Sequence, residues 1–149
     1  MNIKEQLYIL CQNYVNQRLQ TVEEIISSNQ NALQSETKSS AADTHETGRA
    51  MLQLEMEKAG QQLKGISQMK ETLAKIDVTK NSNLAHLGSL IYTDKAIYFL
   101  SISVGKLAVS DKDYFAISVS SPIGKLLLGK QKGEKVFFNG NEIVIKEVL

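Results

Sequence analysis

The sequence predicts an α+β protein: an N-terminal antiparallel coiled-coil hairpin, then an antiparallel β domain with one short helix. Three observations predict it. Apolar residues up to residue 79 recur at spacings of three, four and seven, and the single proline of the chain is Pro122. The run from Gln34 to Ala50 contains no Val, Ile, Leu, Met or aromatic residue, so it interrupts that pattern with a polar turn. Beyond residue 80 the aromatic and β-branched residues concentrate in short runs separated by turn residues.

The first arm carries Ile3, Leu7, Leu10 and Tyr14, then Val15, Leu19, Val22, Ile26 and Leu33, with a shift of one residue between the sets. Cys11 falls inside this apolar pattern and reads as a small buried hydrophobe. In the second arm Leu52, Met56, Ala59, Leu63, Ile66 and Leu73 occupy the a and d positions of one heptad frame, with Lys70 its polar occupant. Glu, Gln, Lys, Leu and Met dominate both arms and all favour helix. Two arms of about 30 residues make a hairpin roughly 45 Å long. Its expected extent is 1–79, with the tip at about 36–49, and the second domain is expected over 80–149.

"KNSNLAHLG" reads as the linker between them. After it, "SLIYTD", "AIYFLSIS", "YFAISVS", "EKVFF" and "EIVIKEV" read as strands. "GK" at 105–106, "SDKD" at 110–113 and "FNGNE" at 138–142 read as turns, and Asn-Gly suits a two-residue hairpin. In "SSPIGKLLLGK", Ser121 is a good N-cap, Pro122 fits the first helical position and Gly129 can end the helix. The Leu126–Leu128 run reads as core.

Composition narrows the function. Seventeen basic and sixteen acidic residues leave a net charge of +1, too little for a protein that grips nucleic-acid phosphates along its length. One cysteine excludes an internal disulfide and a cysteine-rich metal site. No run of about 20 apolar residues could span a bilayer, and no N-terminal apolar run resembles a signal peptide. These features predict a cytoplasmic protein without membrane association. Only His45 and His86 are present, with no nucleophilic triad and no phosphate-binding glycine motif. Asp43 and Glu46 stand three apart in the polar turn. Their spacing fits a capping box at the start of the second helix, and it also fits a pair of metal-binding carboxylates. Lys38 and Arg49 flank them as solvated charges or as contacts to a nucleic-acid backbone.

Two places resemble the Gre transcript-cleavage factors of bacterial RNA polymerase. "SVSSPIGKLLLGKQKGEKVFF", residues 118–138, resembles the family's C-terminal signature through Ser121, Pro122, Ile123, Leu127, Gly129, Lys130, Gly133, Glu134 and Val136. Asp43 and Glu46 match the Asp-x-x-Glu of the family's tip, Gly-Asp-Leu-x-Glu-Asn-Ala-Glu. The family's tip continues Asn-Ala-Glu-Tyr, whereas here Thr47, Gly48, Arg49 and Ala50 follow. The family's N-terminal Thr-x-x-Gly-x-x-Lys-Leu pattern is absent.

The resemblance implies an FKBP-like C-terminal domain that docks on RNA polymerase through the loop of Ser121, Pro122 and Ile123. It implies a coiled-coil tip that enters the polymerase secondary channel. There Asp43 and Glu46 would share Mg²⁺ with the polymerase and stimulate cleavage of backtracked RNA, with Lys38 and Arg49 near the RNA. The factor would be an accessory to the polymerase's own nuclease, meeting the nascent RNA 3′ end only indirectly and reading no DNA sequence. Two other functions are a channel-binding transcription regulator without cleavage activity and, through the FKBP-like domain, a prolyl isomerase.

Overall fold

A computed structural model describes the backbone of residues 1–38 and 42–149, and side chains outside 36–47. Among the described residues the order is α1 (Ile3–Lys38), α2 (Ala42–Ala74), β1 (Leu90–Thr93), β2 (Ile97–Ser101), β3 (Gly105–Val109), β4 (Lys112–Ser118), α3 (Pro122–Leu127), β5 (Lys135–Phe138) and β6 (Asn141–Val148). The protein is therefore α+β, with a long helical hairpin first and a mixed sheet after it. The chain divides into two compact units, Val15–Met69 and Met1–Tyr14 together with Lys70–Leu149.

In the unit Val15–Met69, α1 buries Val15, Val22 and Asn29 and half-buries Leu19, Ile26 and Leu33. Helix α2 answers with Ala59 and Ile66, fully buried, and Leu52, Met56 and Leu63, half-buried. The expected heptad frame therefore describes most of α2. It fails at Lys70, which is exposed while Met69 is half-buried. A helix turns 3.6 residues, so an apolar side chain one position away takes the place that a strict seven-residue repeat assigns to lysine. Replacing Ile66 with Val should cost about 0.5–1.5 kcal/mol in denaturant unfolding, while Lys70→Ala should change stability by less than about 0.5 kcal/mol.

In the other unit, Asn2 opens α1 by accepting the Glu5 N–H on its side-chain oxygen at 2.8 Å. The last turn of α2 holds no basic residue. Leu73 O in that turn accepts the Tyr8 O–H of α1 at 3.0 Å, and a second contact lies past the end of the helix. The Lys4 ammonium donates to Lys80 O at 2.6 Å. Burial pushes Lys4 below its usual value, with Asp77 opposing that shift.

The six strands are ordered β3-β4-β2-β1-β6-β5. The antiparallel sheet expected from the sequence is in fact mixed, because β2 and β4 run parallel, with Phe99 opposite Ala116 and Leu100 opposite Ile117. The cause is β3. "GKLAV" carries one buried residue, Val109, so its pattern is that of an edge strand and not of the turn expected at 105–106. It forms a hairpin with β4 through Ser110 and Asp111, both at positive φ (51° and 64°), as a tight hairpin turn requires. The hairpin inserts β4 beside β2 and leaves β3 outside. At the other edge Asn139 and Gly140, φ 52° and 77°, close the β5–β6 hairpin expected from Asn-Gly.

Adjacent strand residues point to opposite faces, so the runs Leu90-Ile91 and Phe99-Leu100-Ser101, all at most 1% exposed, show that both faces are covered. Ile91, Leu100, Ile143, Ile145 and Val136 pack with Ile123 and Leu127 of α3 on one side. On the other, Cys11 of α1 reaches Ser101, Sγ to Oγ 3.8 Å. Among the described residues no helix is long and apolar enough to cross a membrane.

Candidate functional site

The loop between β4 and α3 is built from short-range constraints. Ser121 has extended backbone (φ −69°, ψ 158°), and its hydroxyl donates to Ser118 O at 2.6 Å while accepting from the Gly124 N–H at 3.1 Å. Pro122 stands at the start of α3, where a missing N–H costs nothing. Ser118 and Ser120 hydroxyls pair at 2.8 Å. Gly124 packs so closely that a Cβ there would lie 2.0 Å from Ser118 O.

Helix α3 ends as its sequence predicts. The Leu128 N–H returns to Gly124 O at 3.0 Å, and Gly129 follows at φ 82°. Gly129 N–H then donates to Ala85 O at 2.8 Å, and Ala85 N–H donates to Lys130 O at 2.9 Å. Gly133 takes φ 92°, and the Glu134 carboxylate accepts the Gln131 N–H at 2.6 Å. Most of 118–138 therefore serves local folding: a cap, two glycine turns and a carboxylate that closes the second turn.

The three sequence-predicted contact residues divide accordingly. Ile123 is buried among Ile91, Leu100 and Leu127. The Ser121 hydroxyl is used in both directions by the cap. Pro122 is exposed, as are Lys125, Leu128 and Lys132 nearby. Leu128 is 46% exposed, so the expected core run 126–128 ends at Leu127. On β5, Val136 faces the core and Phe137 is 67% exposed. Sequence reasoning singled out neither Phe137 nor Gly124. The alternation along "KVFF" is the signal for Phe137, since Val136 and Phe138 take the inner positions. No local pattern marks Gly124, because its constraint comes from a folded-back carbonyl.

Asp43 and Glu46 fall within α2, in its first turns. Their side chains, with those of Lys38 and His45, lie outside the described residues, as do residues 39–41 entirely. Arg49 is described and exposed on α2. Among the described residues no group of three or more His, Cys, Asp or Glu side chains is placed to hold a metal.

Among the described residues, His86, Ser89, Asp94 and Cys11 have structural roles. His86 Nδ1 lies 2.7 Å from Ser89 Oγ, which also accepts the His86 N–H at 2.8 Å. Ser89 is fully buried, so this pair pins the linker turn and offers no nucleophile to a substrate. Asp94 accepts the Val144 N–H at 2.8 Å, a bond that holds its carboxyl below the usual carboxylate range. Cys11 is fully buried, and burial raises its thiol from the usual 9.0 to about 11. Near neutral pH its thiolate is then about a hundredfold scarcer than that of an ordinary cysteine. In the native protein at pH 8 a disulfide reagent should modify Cys11 at least ~100-fold more slowly than in denaturant. Equal rates, followed by thiol absorbance, would show an accessible thiolate.

No family model matches the chain, and no curated protein matches it. Among solved structures, the crystal structure of GreA factor homolog 1 (Gfh1) of Thermus thermophilus aligns with 92% of this chain and 93% of its own. The identity is 16% and the TM-score 0.35, a likeness too distant to carry an argument about fold or function.

Proposed function

We propose that this protein is a Gre-like transcription factor. It binds RNA polymerase, inserts the turn of its helical hairpin into the secondary channel and stimulates cleavage of backtracked RNA by the polymerase's own active centre. One observation carries the reading. The segment 118–138, which resembles the Gre C-terminal signature over nine named residues, folds as strand, serine-capped helix and strand. Asp43 and Glu46 lie in the first turns of α2, and on this reading they correspond to the acidic pair of the Gre tip.

On this reading the sheet domain is of the FKBP-like kind and docks on the polymerase. Pro122 and the exposed side chains around it make the contact, while Ser121 and Ile123 hold the loop in shape. Asp43 and Glu46 hold a Mg²⁺ shared with the polymerase. Their carboxylates are the hard oxygen ligands that Mg²⁺ favours, and the ion, when bound, would supply Lewis acidity for hydrolysis of the RNA. Lys38 and Arg49 lie near the RNA backbone. The protein is then an accessory factor with no catalytic centre of its own.

A second reading, a channel-binding regulator that does not stimulate cleavage, is favoured by one feature. Thr47, Gly48, Arg49 and Ala50 stand where the family carries Asn-Ala-Glu-Tyr. A transcript-cleavage assay on stalled complexes of the cognate polymerase, run beside a binding measurement, separates the two. Binding with shortened RNA supports the factor. Binding without cleavage leaves the regulator, and absence of binding ends both.

A further inference from the structure

Within the unit Val15–Met69, Asn29 is the one polar residue buried among the described side chains, at 7% exposure. It occupies a seam position of α1, between half-buried Ile26 and Leu33. Its amide donates to Glu55 Oε2 on α2 at 3.0 Å. From this pair toward the turn, the described seam contains no fully buried apolar side chain: Ala32, Leu33 and Leu52 are only half-buried. Gln34 to Ala50 contributes no Val, Ile, Leu, Met or aromatic residue. Hydrophobic packing is non-directional and tolerates sliding and rotation of one smooth helix past another. A buried amide tolerates neither, since it is satisfied only where its partner stands. A lone polar residue at a seam position can therefore select one alignment while lowering stability relative to an apolar residue.

We propose that Asn29 and Glu55 are positioning residues: their hydrogen bond fixes the alignment of α1 against α2 next to the turn, and so fixes how the tip is presented. The role does not depend on what the tip acts upon. Its signature is a variant that is more stable but less well aligned.

The test uses the full chain with nitroxide labels on Gln34→Cys and Ala50→Cys, both exposed positions, and a reference pair on Gln20→Cys and Lys64→Cys, also exposed. Cys11 stays in place, since it is buried. Wild type should give one narrow distance distribution at each pair. Asn29→Leu should keep the reference pair narrow, broaden the 34/50 pair into two or more distances and leave the thermal midpoint equal or higher. In the wild-type background Glu55→Gln, which retains an acceptor for the Asn29 amide, should keep a single distance, and Glu55→Ala should not. A narrow 34/50 distribution in both Asn29→Leu and Glu55→Ala overturns the proposal, because packing alone would then set the alignment. A lower midpoint in Asn29→Leu also overturns it, because the pair would then be a source of stability and not of alignment.

Discussion

Asp43→Asn should reduce stimulated transcript cleavage by about 100-fold or more while leaving polymerase affinity nearly unchanged. Even the outer-shell partners of a metal site cost about 10–100-fold when removed, and a direct carboxylate ligand carries more of the metal's affinity. Asn keeps the shape of Asp and an acceptor oxygen but loses the charge that, on the proposed function, would hold Mg²⁺. Glu46→Gln should behave alike, and raised Mg²⁺ should partly rescue both. The alternative role of Asp43 is structural. It lies in the first turn of α2, where a carboxylate stabilises a helix by about 0.3–1 kcal/mol. If that were its whole contribution, Asp43→Asn and Asp43→Ala would each lose no more than about 1 kcal/mol of stability, and cleavage would fall only as far as stability fell. The decisive comparison sets Asn against Ala in the same cleavage assay, with unfolding followed in parallel. Equal and severe losses in two folded variants support the metal role. A silent Asn variant beside an active wild type ends it.

Gly124→Ala should destabilise the sheet domain by about 3 kcal/mol, from overpacking of about 1–3 kcal/mol and a damaged cap of about 1 kcal/mol. The new methyl would meet Ser118 O at 2.0 Å and Ser121 Oγ at 2.9 Å. Both atoms belong to the cap that starts α3, so neither can move without breaking the Ser121–Ser118 bond. Gly60 provides the opposite case in the same chain. It lies within α2, and a Cβ there would meet nothing within 4 Å. Gly60→Ala should therefore stabilise the protein by about 0.5–1 kcal/mol, through lower backbone entropy in the unfolded chain. Denaturant unfolding of the two variants should move in opposite directions. A Gly124→Ala protein as stable as wild type would show that the β4–α3 loop relaxes at little cost.

These cases mark what could be read from the chain alone. Ser121 before Pro122, Gly129 after α3, and the Asn139-Gly140 turn were legible, because a cap, a positive φ and a tight hairpin each need particular residue types within a few positions. The two long helices were legible for a related reason: their apolar spacing repeats over several turns and so survives the one misplaced position at Lys70. The tip acids were legible as a motif, while their side chains lie outside the described residues.

What escaped depends on partners far away along the chain. Strand β3 buries only Val109 and shows no apolar–polar alternation to announce itself, and its place outside β4 makes β2 and β4 parallel. Asn29 looks like a solvated residue until Glu55, 26 positions later, is set beside it. Gly124 looks like any helical glycine until the carbonyl of Ser118 folds over it. Ile123 looks like a contact residue until β1, β2 and β6 close around it. The sequence by itself determined the long helices, the Ser121 cap of α3 and the hairpin turns at 110–111 and 139–140, because backbone preference and apolar period act over a few residues. Only the tertiary structure decided strand neighbours, buried polar groups and forbidden volume, because each is set by atoms that approach one another only after the chain has folded.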